Sequence, residues 1–361
     1  MLTIKPSSGP HTGSAIGVGS IMRQVIYALL PATAFGLYLF GWPAVNLLLV
    51  TLFASLVFEA LCQKLAGRPA MSALKDGSAL LTGWLLAMTL PPWAPWWIGV
   101  LGAGIAIILG KQVYGGLGQN LFNPAMLARV VLLISFPFEM TTWADVTPWL
   151  TESAPGFYEG LTITFTGLSN PDAVTGATLL GHVKTEWLQK HPLSESLSDY
   201  GVSTIWLGVT RGSLGETSAL LLFAGGMWLL LKKIITWTIP VSMLASVAGI
   251  AGLFHFLDPE RYLSPVMHLG SGALMCAAFF IATDYVTSPN TPLGQMIFGS
   301  LCGLLIYMIR TWGGYPEGAG FAILLMNSLT PLIDHYVRPR IQGRDRRGRP
   351  LEEKVVMKGE R

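Results

Sequence analysis

Cysteine and charge are what this chain of 361 residues has least of. Its three cysteines, Cys62, Cys276 and Cys302, lie far apart in apolar runs, and no Cys-x-x-Cys pair occurs. That spacing offers no zinc site and no iron–sulfur cluster held by this chain alone, so buried thiols are expected. The six histidines are scattered without metal-ligand spacing, and no metal site is expected. No Gly-x-Gly-x-x-Gly follows a strand pattern, so a dinucleotide has no obvious seat here. Residues 1–20 are polar and Gly-rich without an apolar core, and read as no secretory signal. Charged residues make up 12% of the chain and hydrophobic ones 52%. An ordinary soluble domain is about 25% charged, so lipid is the expected solvent for most of this sequence.

What the chain does have is long apolar runs. Ten candidate spans fall at 24–41, 42–64, 77–91, 94–111, 124–138, 217–231, 234–257, 266–283, 293–310 and 318–337. The expected fold is an all-α polytopic membrane protein. Several runs fall short of the ~20 residues that a full crossing needs, which points to tilted or broken helices lining a cavity. Lys64, Arg68, Lys75, Lys111, Lys232 and Lys233 border loops on one side. Six basic residues from Arg338 to Arg349 follow the last span. By the positive-inside rule these mark the cytoplasmic side and read as membrane orientation, not nucleic-acid binding. The expected organisation is a cytoplasmic segment 1–23, a five-helix unit 24–138, an extracytoplasmic loop 139–216, a second five-helix unit 217–337 and a basic cytoplasmic tail 338–361. The loop is acidic, with nine Asp and Glu against three Lys and Arg.

The two helical units look related. Gly77-Ser78-Ala79-Leu80-Leu81 matches Gly270-Ser271, an inserted Gly272, then Ala273-Leu274-Met275. Gly115-Gly116 precedes the fifth span as Gly313-Gly314 precedes the tenth. Five spans separate the matched segments, and an odd number inverts the second unit, an arrangement that puts sites near the midplane between repeats.

The polar loop carries Asp172-Ala173-Val174-Thr175-Gly176-Ala177-Thr178. It resembles the Asp-x-x-(Ser/Thr)-Gly-Ala-Thr signature of flavinylated membrane subunits, with Thr175 in place of the more usual Ser. The resemblance extends to Gly115-Gly116-Leu117-Gly118-Gln119-Asn120-Leu121-Phe122-Asn123-Pro124-Ala125, to Thr283-Asp284 and to Gly313-Gly314-Tyr315-Pro316-Glu317-Gly318. Over nearly the whole chain it is similar to the family of the D subunit of the Rnf electron-transport complex. The B subunit of the Na+-translocating NADH:quinone reductase is a more distant likeness.

That resemblance implies FMN fixed by a phosphoester to Thr178, with Asp172, Thr175, Gly176 and Ala177 presenting the segment. Gly176 is expected to supply an unusual backbone angle and Ala177 to add no bulk. It also implies inverted five-helix repeats, peripheral flavin and iron–sulfur subunits, other small membrane subunits, a flavin transferase for maturation, and the bacterial inner membrane. A second, non-covalent flavin (riboflavin) between the repeats follows from the family alone.

Other residues stay open at this level. The segment 115–125 reads either as contact with a flavin ring or ion path through Asn120 and Asn123, or as a tight turn with one of those asparagines as N-cap and Pro124 at N1. Glu59 and Arg129 read as structural or snorkelling groups. Asp284 is the candidate coupling residue. His255 and His268 read as packing residues, and Trp93, Trp96 and Trp97 as an interfacial belt. The implied function is electron transfer through covalent FMN in a complex that translocates Na+ or H+, with NADH bound on another subunit. Rival readings are a quinone-reducing subunit and a non-redox inverted-repeat channel or transporter.

Overall fold

The computed structural model describes residues 17–167, 175–189 and 201–339. The longest helical stretch, α1, runs over Val18–Leu65. Its 48 residues would extend about 72 Å as one rod, more than twice a ~30 Å hydrocarbon core. Gly41 breaks it, at φ 69° and ψ −155°, a conformation that side chains oppose and glycine accepts. The two limbs fold back on each other. Met22 packs at Gly77 and Thr33 at Met88 on the rising limb. On the descending limb Ser55 packs at Gly83, and Glu59 meets Lys111, which in turn meets Ser78. The expected spans 24–41 and 42–64 are these two limbs.

Short α2 (Ala70–Lys75) leads into α3 (Ser78–Thr89), which climbs beside the first limb. α4 (Trp96–Gly104) descends and continues as a π-helical stretch, Ile105–Gln112. Gly99 lies so close to Thr51 Oγ1 that a methyl group there would collide, the small-residue packing that membrane helices use. α5 (Pro124–Ser135) rises and ends before Phe136-Pro137, three residues short of the expected span.

The segment between the units is folded where described. It contains α6 (Pro137–Thr141), β1 (Trp143–Ala144), α7 (Phe157–Thr166), β2 (Thr175–Gly176), α8 (Leu179–Gln189) and α9 (Val202–Leu207). β1 and β2 pair antiparallel, Trp143 opposite Gly176 and Ala144 opposite Thr175. This small ladder is the one departure from all-helical structure among the described residues. A 3-10 turn, Leu214–Glu216, re-enters the bundle.

The second unit starts with α10 (Ala219–Leu231), whose Gly225 lies against Ala28 of α1. α11 (Thr238–Leu257) begins four residues later than the sequence suggests, because Lys233 turns the chain at φ 56°. The expected span 266–283 is two pieces. α12 (Pro265–Gly270) and α13 (Leu274–Cys276, prolonged by a π turn Ala277–Ile281) are split at Gly272, φ 64°. α14 (Pro292–Trp312) and α15 (Ala319–Tyr336) complete the bundle. α11 and α14 pack along their lengths, from Gly299 on Ile239 to Tyr307 on Phe254.

Helices α1, α11 and α14 are long and apolar enough to cross a membrane, and α3, α4, α5 and α10 are shorter apolar helices. One core joins both units: Leu86, Met88 and Leu132 share it with Met243, Phe279 and Phe298. Trp93 is also in it, 7% exposed, with its indole N–H donating to Phe40 O. It is not part of an interfacial belt, since Pro91-Pro92 folds it inward; Trp96, 39% exposed, fits that expectation better.

Candidate functional site

Thr178 sits at the end of the bundle reached by α5 and left by α10. β2 brings it there by pairing with β1. Gly176 has no left-handed backbone angle, contrary to the expectation. It is needed for space, because a side chain there would collide with the Arg211 guanidinium. Arg211 itself is ion-paired with Asp145 of the adjoining loop. Ala177 is exposed and Thr178 is buried. Of Thr175 only the backbone pairing is described, and Asp172 lies outside the described residues.

Thr178 is the cap of α8. Its Oγ1 accepts from Gly181 N at 3.2 Å, and its carbonyl accepts the first helical bond, from His182 N at 2.8 Å. The hydroxyl therefore lies at the positive end of an 11-residue helix, a favourable place for a phosphate. Lys184 ties the helix down, donating to Tyr315 O at 2.9 Å and Ile309 O at 3.3 Å. Burial lowers the pKa of that ammonium.

Beneath Thr178 is a cavity of about 20 Å³ whose wall includes Trp143, Arg211, Glu216, Ser271, Gly272 and Glu317. Glu317 is saturated with donors. Oε2 accepts from Arg310 Nη2 at 2.8 Å and Ala273 N at 3.0 Å, and Oε1 from Gly318 N at 2.9 Å and Ala319 N at 3.1 Å. Arg310, 4% exposed, also donates to the carbonyls of His268 and Ser271. Glu216 has a single side-chain partner, Ser213 Oγ at 2.9 Å. Burial first, then the charge of Glu317, push its carboxyl up to about 7, against the opposing pull of Arg129, Ser213 and Arg310. Arg129 does not snorkel. It lies 5.8 Å from the Trp143 ring centre and lines a neighbouring cavity with Glu317.

At the opposite end is a partly open cavity of about 100 Å³ between the two units. Asn120, Asn123, Ser78 and Lys111 line it from one side, and Phe279, Asp284 and Tyr285 from the other. Of the two sequence alternatives for 115–125, the capping turn is the one seen here. Asn123 caps α5, accepting from Met126 N at 3.2 Å with Pro124 at N1, and it also faces the cavity. Its backbone N–H donates to Asn327 Oδ1 at 3.1 Å, across the units. Asp284, in the turn after α13, accepts from Thr287 Oγ1 and Val286 N. Burial raises its pKa, opposed by those two donors and the Asn120 amide.

Glu59 is 1% exposed and held by Lys111 Nζ at 3.0 Å and Gln112 Nε2 at 2.8 Å, a structural ion pair and not a snorkelling acid. His255 holds Tyr262 O through Nδ1, and His268 packs on Tyr307. Among the described residues no group of three His, Cys, Asp or Glu could hold a metal. Sequence reasoning missed Arg211, Glu216, Ser271 and the pairing of Glu317 with Arg310. The one available signal was an acid standing at the threshold of an apolar run, as Glu216 and Glu317 both do.

The chain matches the NQR2, RnfD, RnfE family over residues 5–343. It is 53% identical over 345 residues to the D subunit of the ion-translocating oxidoreductase complex of Halorhodospira halophila, covering 95% of this chain and 97% of that one. The corresponding D subunit of Stutzerimonas stutzeri is 54% identical over 335 residues, covering 92% and 94%. That of Escherichia fergusonii is 43% identical over 354 residues, covering 95% and 99%. The chain belongs to the NQR2, RnfD, RnfE family, as a subunit of a membrane-bound, ion-translocating oxidoreductase complex of the Rnf type.

Proposed function

We propose that this chain carries electrons through an FMN esterified to Thr178, on the extracytoplasmic face of a complex that moves Na+ or H+. The observation that carries the reading is Thr178 itself, the motif threonine, capping a helix beside Arg211. These groups fit a phosphoester: the helix end and the guanidinium are both anion-favouring. When bound, the flavin supplies the electron chemistry. The protein's part is to fix it, with α8 locked by Lys184, and to set the local charge through Arg211, Glu216 and Glu317.

The packing supports ten spans in two inverted units. The limbs of α1, then α3, α4 and α5, alternate in direction, and α10 continues that alternation downward beside the rising limb of α1. The loop 139–216 then lies in the periplasm of the inner membrane, with both termini cytoplasmic. The cavity at Asn120, Asn123 and Asp284 is the proposed seat of a second flavin, riboflavin, held without a covalent bond, and Asp284 the coupling residue beside it. Other membrane and peripheral subunits supply NADH or ferredoxin oxidation, and a transferase installs the FMN.

The test is mass analysis of the denatured, washed chain from a host that has the transferase. The peptide containing Thr178 should carry one FMN mass. Thr178→Val, nearly unchanged in volume, should lose it while the protein still inserts. An adduct that persists on the variant would overturn the assignment.

A further inference from the structure

Glu216 and Glu317 share the wall of one cavity but differ in every contact. Glu317 receives a guanidinium and three backbone N–H groups. Glu216 receives one hydroxyl. Ser271, 4% exposed, stands in the same wall, and its Oγ makes no hydrogen bond among the described residues. The room, about 20 Å³, exceeds the roughly 10–15 Å³ that one water needs. A water there would reach polar groups on several sides. The charged and titratable groups facing Glu216 are Arg129 from α5, Arg310 from α14, Glu317 before α15 and Cys276 from α13. Arg211 shares the cavity wall. Three guanidinium groups around two carboxylates disfavour a metal cation and leave a proton as the charge this pocket can exchange.

We propose that Glu216 is the proton-binding group of the extracytoplasmic cavity, taking up a proton when negative charge arrives at Thr178 and releasing it when that charge leaves. The coupling rests on the reading of Thr178 as the flavin carrier. Per electron delivered by the donor subunits, one O–H bond forms at Glu216. Its proton comes from extracytoplasmic water and returns there when the electron passes on. Ser271 and the cavity provide the path between Glu216 and the α8 cap. Burial first, and then the charge of Glu317, keep Glu216 poised near neutrality.

Two measurements test this. The first uses flavin-free chain from a host without the transferase. An infrared pH titration should show a protonated-carboxyl band that disappears with a midpoint near neutral pH, and Glu216→Gln should lack it. The same band in Glu216→Gln, or none in the wild type, overturns the proposal. Glu216→Asp keeps an acid there and should retain a shifted band, which separates lost titration from lost folding. The second uses assembled complex with flavin on Thr178 and reads proton uptake on reduction with a pH dye. Glu216→Gln should take up less than wild type, and equal uptake defeats the coupling. Absence of flavin from Thr178 defeats the proposed function instead, and the infrared titration, run without flavin, still decides Glu216.

Discussion

Lys111 and Arg310 are both buried near the end of a helix, and the two are handled differently. Lys111 reaches Glu59 Oε1 at 3.0 Å and Ser78 Oγ at 2.8 Å, at the head of α3. Arg310 reaches Glu317 and the carbonyls of His268 and Ser271, at the head of α13. Both helix heads follow a glycine with positive φ, Gly77 and Gly272. The two clamps thus have similar surroundings. Lysine is a point charge and leaves Glu59 Oε2 without a partner. Arginine is a fork, and with it Glu317 is fully satisfied. The first clamp is the looser one, and it borders the larger cavity.

The largest expected effect follows from removing the fork. Arg310→Met breaks four hydrogen bonds at once, leaving the His268 and Ser271 carbonyls without their donor and Glu317 with its backbone N–H donors alone, at a cost near the upper end of the ~3–5 kcal/mol typical of a broken buried pair. Arg310→Lys should recover little, because one ammonium cannot serve four acceptors. Thermal unfolding in detergent checks both, and full recovery by lysine would remove the distinction drawn here.

Lys111→Met should cost less, near ~3 kcal/mol, because it breaks two contacts where Arg310→Met breaks four. The double variant Lys111→Met with Glu59→Met should be close to wild type in stability, since neither charge remains to be desolvated. A double variant as unstable as the single one would mean that the pair holds geometry that apolar packing cannot replace.

Glu216 gives the comparison a pH axis. Its carboxyl stands near 7 in the fold against an ordinary 4.5, so the folded state binds the proton more tightly than the unfolded one. Its contribution to stability is fully present below about 4.5 and is lost as pH rises through about 7. Glu216→Gln should flatten the stability profile across that window. An unchanged slope would assign the pH dependence elsewhere.

The helices were legible in the sequence because lipid imposes long apolar runs, and the boundary between spans 24–41 and 42–64 falls at the break in α1. The Thr178 motif was legible because it is contiguous. The charge network beneath it was not. Arg129, Glu216, Ser271, Arg310 and Glu317 come from five separate segments, and only packing makes neighbours of them. Gly176 shows the same limit: its glycine was anticipated, but the reason, an arginine 35 positions later in the chain, was not. Trp93 misled because an aromatic next to prolines looks interfacial whether the loop faces out or folds in.

The smallest expected effect concerns the caps of α5 and α15. Asn123 caps the first and holds the far end of α13, its Nδ2 donating to Ile281 O at 3.4 Å. Glu317 caps the second and holds the near end of α13 through Ala273 N. One is neutral and one charged, yet both join a cap to the same broken helix. Asn123→Ala removes the cap and the cross-link and should cost about 1 kcal/mol or slightly more. Asn123→Asp keeps an oxygen for Met126 N and loses only the donor to Ile281, so it should retain most of the stability. Unfolding midpoints of the two variants decide between the roles. If Asn123→Asp is as unstable as Asn123→Ala, the link to α13 outweighs the cap, and Asn123 acts in the first unit as Glu317 acts in the second.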